Sequence, residues 1–100
     1  MPLTAEQASE YLPHVQDWEL MENAIKIRRT FQFPDYRTTV DFVQQTAELA
    51  ESVGHHPVIT FGWGFCTVEL QTKKIKGLHE NDFIMAAKIN VLVPPSPVQK

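Results

Sequence analysis

From Pro34 to Gly54 the apolar side chains keep a helical spacing, and on either side of that stretch they alternate. Tyr36, Val40, Val43, Ala47 and Ala50 recur at intervals of four and three, and Phe42, Leu49 and Val53 widen the stripe. Pro34 suits the first turn of such a helix, and Gly54 suits the left-handed position that ends one. Upstream, Ile25, Ile27, Phe31 and Phe33 share one face of a period-2 strand, with Lys26, Arg28, Thr30 and Gln32 on the other. Arg29 interrupts the apolar face and requires an edge position or a partner. Downstream, Ile59, Phe61 and Trp63 alternate, then Cys66, Val68 and Leu70, with Gly62 and Gly64 marking a tight hairpin.

The remaining elements follow from local signals. Thr4-Ala5-Glu6-Gln7 has the form of a capping box opening a short helix that ends before Pro13. Trp18 and Leu20 predict a short first strand, and Met21–Ala24 its turn, with Asn23 best suited to a left-handed conformation. Lys73–Gly77 reads as a basic loop, and His79 or Asn81 as the cap of a last helix. That helix (Phe83, Ile84, Met85, Ala86, Ala87, Ile89, Leu92) is apolar nearly all round, and Phe83, Met85, Ile89 and Leu92 point to contact with another subunit. The order is helix-strand-strand-helix-strand-strand-helix. It predicts an α+β domain: a four-stranded antiparallel sheet with three helices packed on one face. The expected bounds are a single domain over 1–93 and a flexible C-terminal tail over 94–100, after Pro94-Pro95-Ser96-Pro97.

Composition narrows the function. One hundred residues, 43% of them hydrophobic, suit one small globular domain rather than a disordered chain. A formal charge of −3 argues against direct nucleic-acid binding. A single cysteine, Cys66, excludes an internal disulfide and a multi-cysteine zinc site, and its alternating context makes it a buried thiol. Met1–Glu6 has neither the basic nor the apolar region of a signal peptide, and no apolar run is long enough to span a bilayer. A soluble, cytoplasmic protein without membrane contact is expected.

Candidate chemistry concentrates at Glu51-Ser52-Val53-Gly54-His55-His56-Pro57. Two histidines follow a helix stop, where the helix C-terminus favours a cation and where imidazole suits proton transfer near neutral pH. The competing reading is of two polar loop residues without a task. Neighbours in extended backbone point to opposite sides, so a bend is needed for both rings to meet one ligand. Only His14 and His79 remain as further histidines, too few for a convergent zinc site, so no metal is expected.

These residues, with their spacing, resemble the pterin-4a-carbinolamine dehydratase family, in the bacterial branch associated with phenylalanine hydroxylase. Glu51, three intervening residues, His55-His56-Pro57, five more, Trp63, nine more, and a later Asp82 follow the family pattern. Ile75–Ala87 looks like the C-terminal part of that branch, and the likeness extends more loosely through Trp18 and Phe31–Tyr36 to the N-terminus. One position departs. Lys73 stands where the family has His or sometimes Trp, and lysine donates a hydrogen bond but is a poor proton acceptor near neutrality.

The resemblance implies a hydro-lyase acting on 4a-hydroxytetrahydropterin, giving quinonoid dihydropterin for tetrahydrobiopterin-type recycling with no cofactor and no metal. His55 and His56 would then be the acid–base pair, Lys73 the occupant of the third-histidine position, and Glu51 and Asp82 the groups that hold them. Pro57, Phe61 and Trp63 would bind substrate, although strand core is the commoner fate of residues such as Phe61 and Trp63. Glu51 also reads as an exposed last-turn residue and Asp82 as a first-turn residue favoured by the helix dipole. A homo-oligomer, dimer or tetramer, is implied. The alternative is a non-catalytic dehydratase-like scaffold, assembly or dimerisation factor, which Lys73 favours and the intact histidine pair opposes.

Overall fold

The computed structural model describes residues 2–93. The C-terminal tail expected from residue 94 onward lies outside the described residues. Helix α1 spans Ala5–Tyr11, β1 Glu19–Met21, β2 Lys26–Gln32, α2 Tyr36–Val53, β3 Val58–Gly62, β4 Phe65–Leu70 and α3 Glu80–Leu92, with short 3-10 turns at Leu12–His14 and Lys73–Ile75. The strands form one antiparallel sheet in the order β1-β2-β4-β3. This is the α+β order read from the sequence.

Register explains the two faces of the sheet. Ile27 pairs with Leu70 and Phe31 with Cys66, while Arg29 and Ile59 both pair with Val68, so these residues share the face toward the helices. Ile27, Phe31, Cys66, Val68 and Leu70 are buried there against Phe42 and Ala50 of α2 and Phe83, Met85, Ala86 and Ile89 of α3. Full burial pushes the Cys66 thiol up to about 11, which leaves it a packing group rather than a nucleophile. The opposite face carries the Lys26–Glu69 ion pair and a Thr30–Thr67 hydroxyl bond. Arg29 solves its awkward place with partners. Its guanidinium bonds the Asn90 side chain at 2.7 Å and the Gln16 carbonyl at 3.2 Å, pairs with Asp17 at 3.4 Å, and stacks on Phe31. Burial pulls its pKa below the ordinary arginine value, and Asp17 opposes that pull.

Caps set the helix limits. Thr4 and Gln7 form the expected capping box. Helix α2 begins later than Pro34, because Asp35 takes the cap: its Oδ1 accepts from the Thr38 amide at 2.8 Å, leaving Pro34 outside. That bond holds the Asp35 carboxyl below its ordinary pKa. Gly54 ends α2 in the left-handed conformation, φ 71°.

Three expectations shift. The buried line of α2 runs through Thr39, Phe42, Thr46 and Ala50, while Tyr36 and Ala47 are exposed. Thr39 is tolerated inside because its hydroxyl donates to the Asp35 carbonyl at 2.7 Å. The turn after β1 places Glu22 and Ala24 as well as Asn23 at positive φ. In α3, Phe83, Met85 and Ile89 face this chain's own core and Leu92 is half-buried, so the apolar surface that remains is Ile84 and Val91.

Candidate active site

The site grows from the joint between α2 and β3. After Gly54 turns the chain, His55–Pro57 run extended into β3, and neighbouring side chains leave on opposite sides. His55 goes to the helix side. Its Nε2 lies 2.6 Å from Asp82 Oδ1. His56 goes to the open side of the sheet, where its Nε2 lies 2.6 Å from Glu51 Oε2, a residue of the last turn of α2. The two rings therefore belong to two separate His–carboxylate units.

Only one unit is shielded. The Asp82 side chain is 0% exposed and that of His55 22%, against 77% for Glu51 and 60% for His56. Asp82 sits in the first turn of α3, where the helix dipole favours an anion. Its second oxygen accepts from the Thr72 hydroxyl at 2.8 Å and from the His79 amide at 3.0 Å. Three donors on a buried carboxylate offset its loss of water. An ionised Asp82 can only accept, which would put the proton of the neutral His55 ring on Nε2 and leave Nδ1 as the nitrogen that exchanges one. His79 itself is committed to capping, its Nδ1 accepting from the Asn81 amide at 3.1 Å.

Two hollows flank the joint. On the helix side a cleft of about 290 Å³ is walled by Val53, Ile84 and Met85, with His55, Thr72, Asn81 and Lys88 as its polar lining. That is close to the smallest size usual for small-molecule sites, and its mix of apolar wall and a few polar groups is typical of them. On the open face a smaller groove of about 190 Å³ is bordered by His56 and Lys73 together with Lys26, Val58, Glu69 and Gln71. Lys73 thus joins the His56 side and does not line the cleft of the His55–Asp82 unit.

The fold brings His55 to Asp82 and His56 to Glu51 and the Lys73 groove, while Pro57 follows them half-buried and lines neither hollow. It does not bring Phe61 or Trp63 there. Phe61 packs on Tyr36, ring centroids 6.1 Å apart, at the start of α2, the end opposite His55. Trp63 stands at the far tip of the β3–β4 hairpin, 69% exposed, and so is neither strand core nor a wall of this cleft within one chain. Sequence reasoning missed Thr72, Asn81 and Lys88. The spacing of Asn81, Ile84, Met85 and Lys88 is that of one helical face, a signal hidden by the all-round apolar character of α3. Among the described residues no three His, Cys, Asp or Glu side chains converge as a metal site.

Fold and site together define a small α+β domain in which a buried carboxylate holds one imidazole beside a cleft. The family model described as Pterin 4 alpha carbinolamine dehydratase matches residues 1–92, and the chain belongs to that family. A relative from Methylococcus capsulatus named "Putative pterin-4-alpha-carbinolamine dehydratase" is 56% identical over 91 residues, covering 91% of this chain and 80% of that one. One of the same name from an Azoarcus species is 55% identical over 86 residues, covering 86% of this chain and 74% of that one. Among solved structures, a transcriptional coactivator/pterin dehydratase from Brucella melitensis superposes with a TM-score of 0.86 at 32% identity, covering 92% of this chain and 98% of that one. A pterin dehydratase-like protein identified as a RuBisCO assembly factor in the alpha-carboxysome superposes at 0.70 with 26% identity, over 83% of this chain and 96% of that one.

Proposed function

We propose that this protein eliminates water from 4a-hydroxytetrahydropterin to give quinonoid dihydropterin, with His55 as the proton-transfer group and Asp82 as its anchor. The single observation that carries this reading is the 2.6 Å bond from His55 to a wholly buried carboxylate at the edge of the cleft. Nδ1 of the His55 imidazolium gives a proton to the 4a-hydroxyl, the C–O bond breaks, and water leaves. The ring cation then loses an N–H proton back to Nδ1. The cycle closes with no net change at His55, while Nε2–H stays on Asp82. No metal or organic cofactor enters this scheme. Such catalysis is worth about 10²–10⁴-fold when the group is well placed.

His56 is given no part in the proton transfer, because its ring leaves on the side of the sheet away from this cleft and its exposed partner Glu51 does little to fix its tautomer. Lys73 stands beside His56, so a lysine at the third-histidine position alters the open-face groove and leaves the His55–Asp82 unit whole. The same reading makes the protein a cytoplasmic homo-oligomer, dimer or tetramer. The exposed Val58, Trp63, Ile84 and Val91 support self-association, and light scattering at micromolar concentration that returned the monomer mass would remove that part.

Stopped-flow absorbance of freshly generated 4a-hydroxytetrahydropterin tests the activity. Acceleration by the wild-type chain is expected. The second reading is a non-catalytic scaffold, favoured by Lys73 and by the company of an assembly factor among the similar structures. It prevails if the wild type gives no acceleration.

A further inference from the structure

We infer that Thr72 is a positioning residue of this site, the group that holds Asp82 in the geometry that dictates which nitrogen of His55 carries the proton. Its kinetic consequence rests on the dehydratase reading above, whereas its effect on the His55 tautomer does not.

Thr72 follows β4 and lines the cleft without touching His55 by any hydrogen bond. Its hydroxyl is one of two donors to Asp82 Oδ2, at 2.8 Å. The other, the His79 amide, belongs to the cap of α3 and is fixed by the helix. Asp82 must satisfy both demands with one rigid carboxylate: closing the cap with Oδ2 and receiving His55 on Oδ1. Two donors on Oδ2 from different directions stop the carboxylate from rotating about its last bond. A carboxylate pinned in this way presents Oδ1 squarely to His55 as an acceptor only, and Nε2 must then be the protonated nitrogen.

The backbone of Thr72 is pinned in turn. Its amide donates to the Gly77 carbonyl at 2.8 Å, and its own carbonyl accepts from the Ile75 amide at 3.2 Å and the Gly77 amide at 3.4 Å. The isolated bridge between Thr72 and Gly77 closes the loop that carries Lys73, Lys74 and Lys76. A side chain at Gly77 would collide with Pro2, a Cβ meeting the Pro2 Cβ at 2.7 Å, so the anchor of this bridge admits little change. Thr72 is therefore the residue through which the basic loop and the His55–Asp82 unit share one support.

The test compares Thr72→Val, which keeps the shape and removes the hydroxyl, with Thr72→Ser, which keeps the hydroxyl. The ¹⁵N spectrum of the imidazole groups near neutral pH reads the tautomer, and stopped-flow dehydration reads turnover. The wild type and Thr72→Ser are expected to show His55 as the Nε2–H form with similar kcat. Thr72→Val is expected to show a second, Nδ1–H population and a kcat lower by about tenfold, with KM changed less than about twofold, as for a lost hydrogen bond to a charged group. Wild-type spectrum and kcat in Thr72→Val would overturn the inference. Should the valine variant fail to fold, Thr72→Ala set against Thr72→Ser gives the same two readings. If the wild type itself does not turn over, the dehydratase reading fails, and the tautomer spectrum still decides the role of Thr72.

Discussion

Two adjacent histidines make carboxylate bonds of the same length, 2.6 Å, and almost nothing else about the two bonds is alike. Asp82 is wholly buried and has two further donors; Glu51 is 77% exposed and makes its bond at the surface of α2. Water and salt compete at His56–Glu51 and do so far less at His55–Asp82. Distance alone would rank the two pairs equal. Burial and the supply of donors separate them, and with them the capacity to fix one tautomer and hold a proton in place.

The largest effect expected from breaking this asymmetry is on turnover in His55→Ala. Removing the shielded imidazole takes away the proton-transfer group, and stopped-flow kinetics should show kcat lower by at least about 100-fold. His56→Ala should instead leave kcat and KM within a few-fold of wild type, because its ring lies outside the cleft. If the two variants exchanged these behaviours, the exposed pair would be the catalytic one and burial would be the wrong guide.

Asp82→Asn probes the same asymmetry through stability. The amide keeps the shape but places a donor or a weak acceptor where three donors converge, and it removes the negative charge from the first turn of α3. A loss of about 2 kcal/mol in urea unfolding is expected, in the range for a hydrogen-bonded charge, together with a fall in kcat. Wild-type stability in this variant would mean that the three donors find other partners, and that the carboxylate does not organise the joint.

How much of this was legible in the sequence depends on the range of the interaction that decides it. Element order, the Thr4–Gln7 box and the Gly54 stop rest on neighbours in sequence, and they were readable. The division of the histidines between two faces was foreshadowed by strand alternation, but which carboxylate each would meet was not. His55 reaches Asp82 only because α3 folds back over the sheet. Thr39 lies outside the apolar stripe of α2, and its burial was not legible because a hydroxyl's bond to the carbonyl four residues back does not show in such a stripe. Trp63 matched the family spacing and yet stands at the far hairpin tip, because spacing counts residues and β3 carries them away from the site.

Lys73→His sharpens the comparison on the open face of the sheet. Lys73 borders the groove of His56 and lies outside the lining of the His55 cleft, so a histidine there should leave the chemistry of the cleft unchanged. Both kcat and KM are expected to stay within about twofold of wild type. A rise in kcat of tenfold or more would show that the third-histidine position takes part in proton transfer in spite of its distance from Asp82's partner.

The smallest effect belongs to Glu51→Gln. The amide can still bond His56 at the surface, and the charge it removes is one that solvent already screens. Stability should change by less than about 0.5 kcal/mol, and whatever change there is should shrink further as salt is raised toward 1 M. The informative comparison is with Asp82→Asn in the same salt series. Its loss should persist, because screening by ions cannot reach a carboxylate with no exposed surface. Two isosteric amide substitutions on two equally short bonds would then give responses that differ in size and in salt dependence. A strong, salt-resistant penalty at Glu51 would instead require that His56 and Glu51 be covered in solution, which is what a second copy of the chain seated on the open face of the sheet would do.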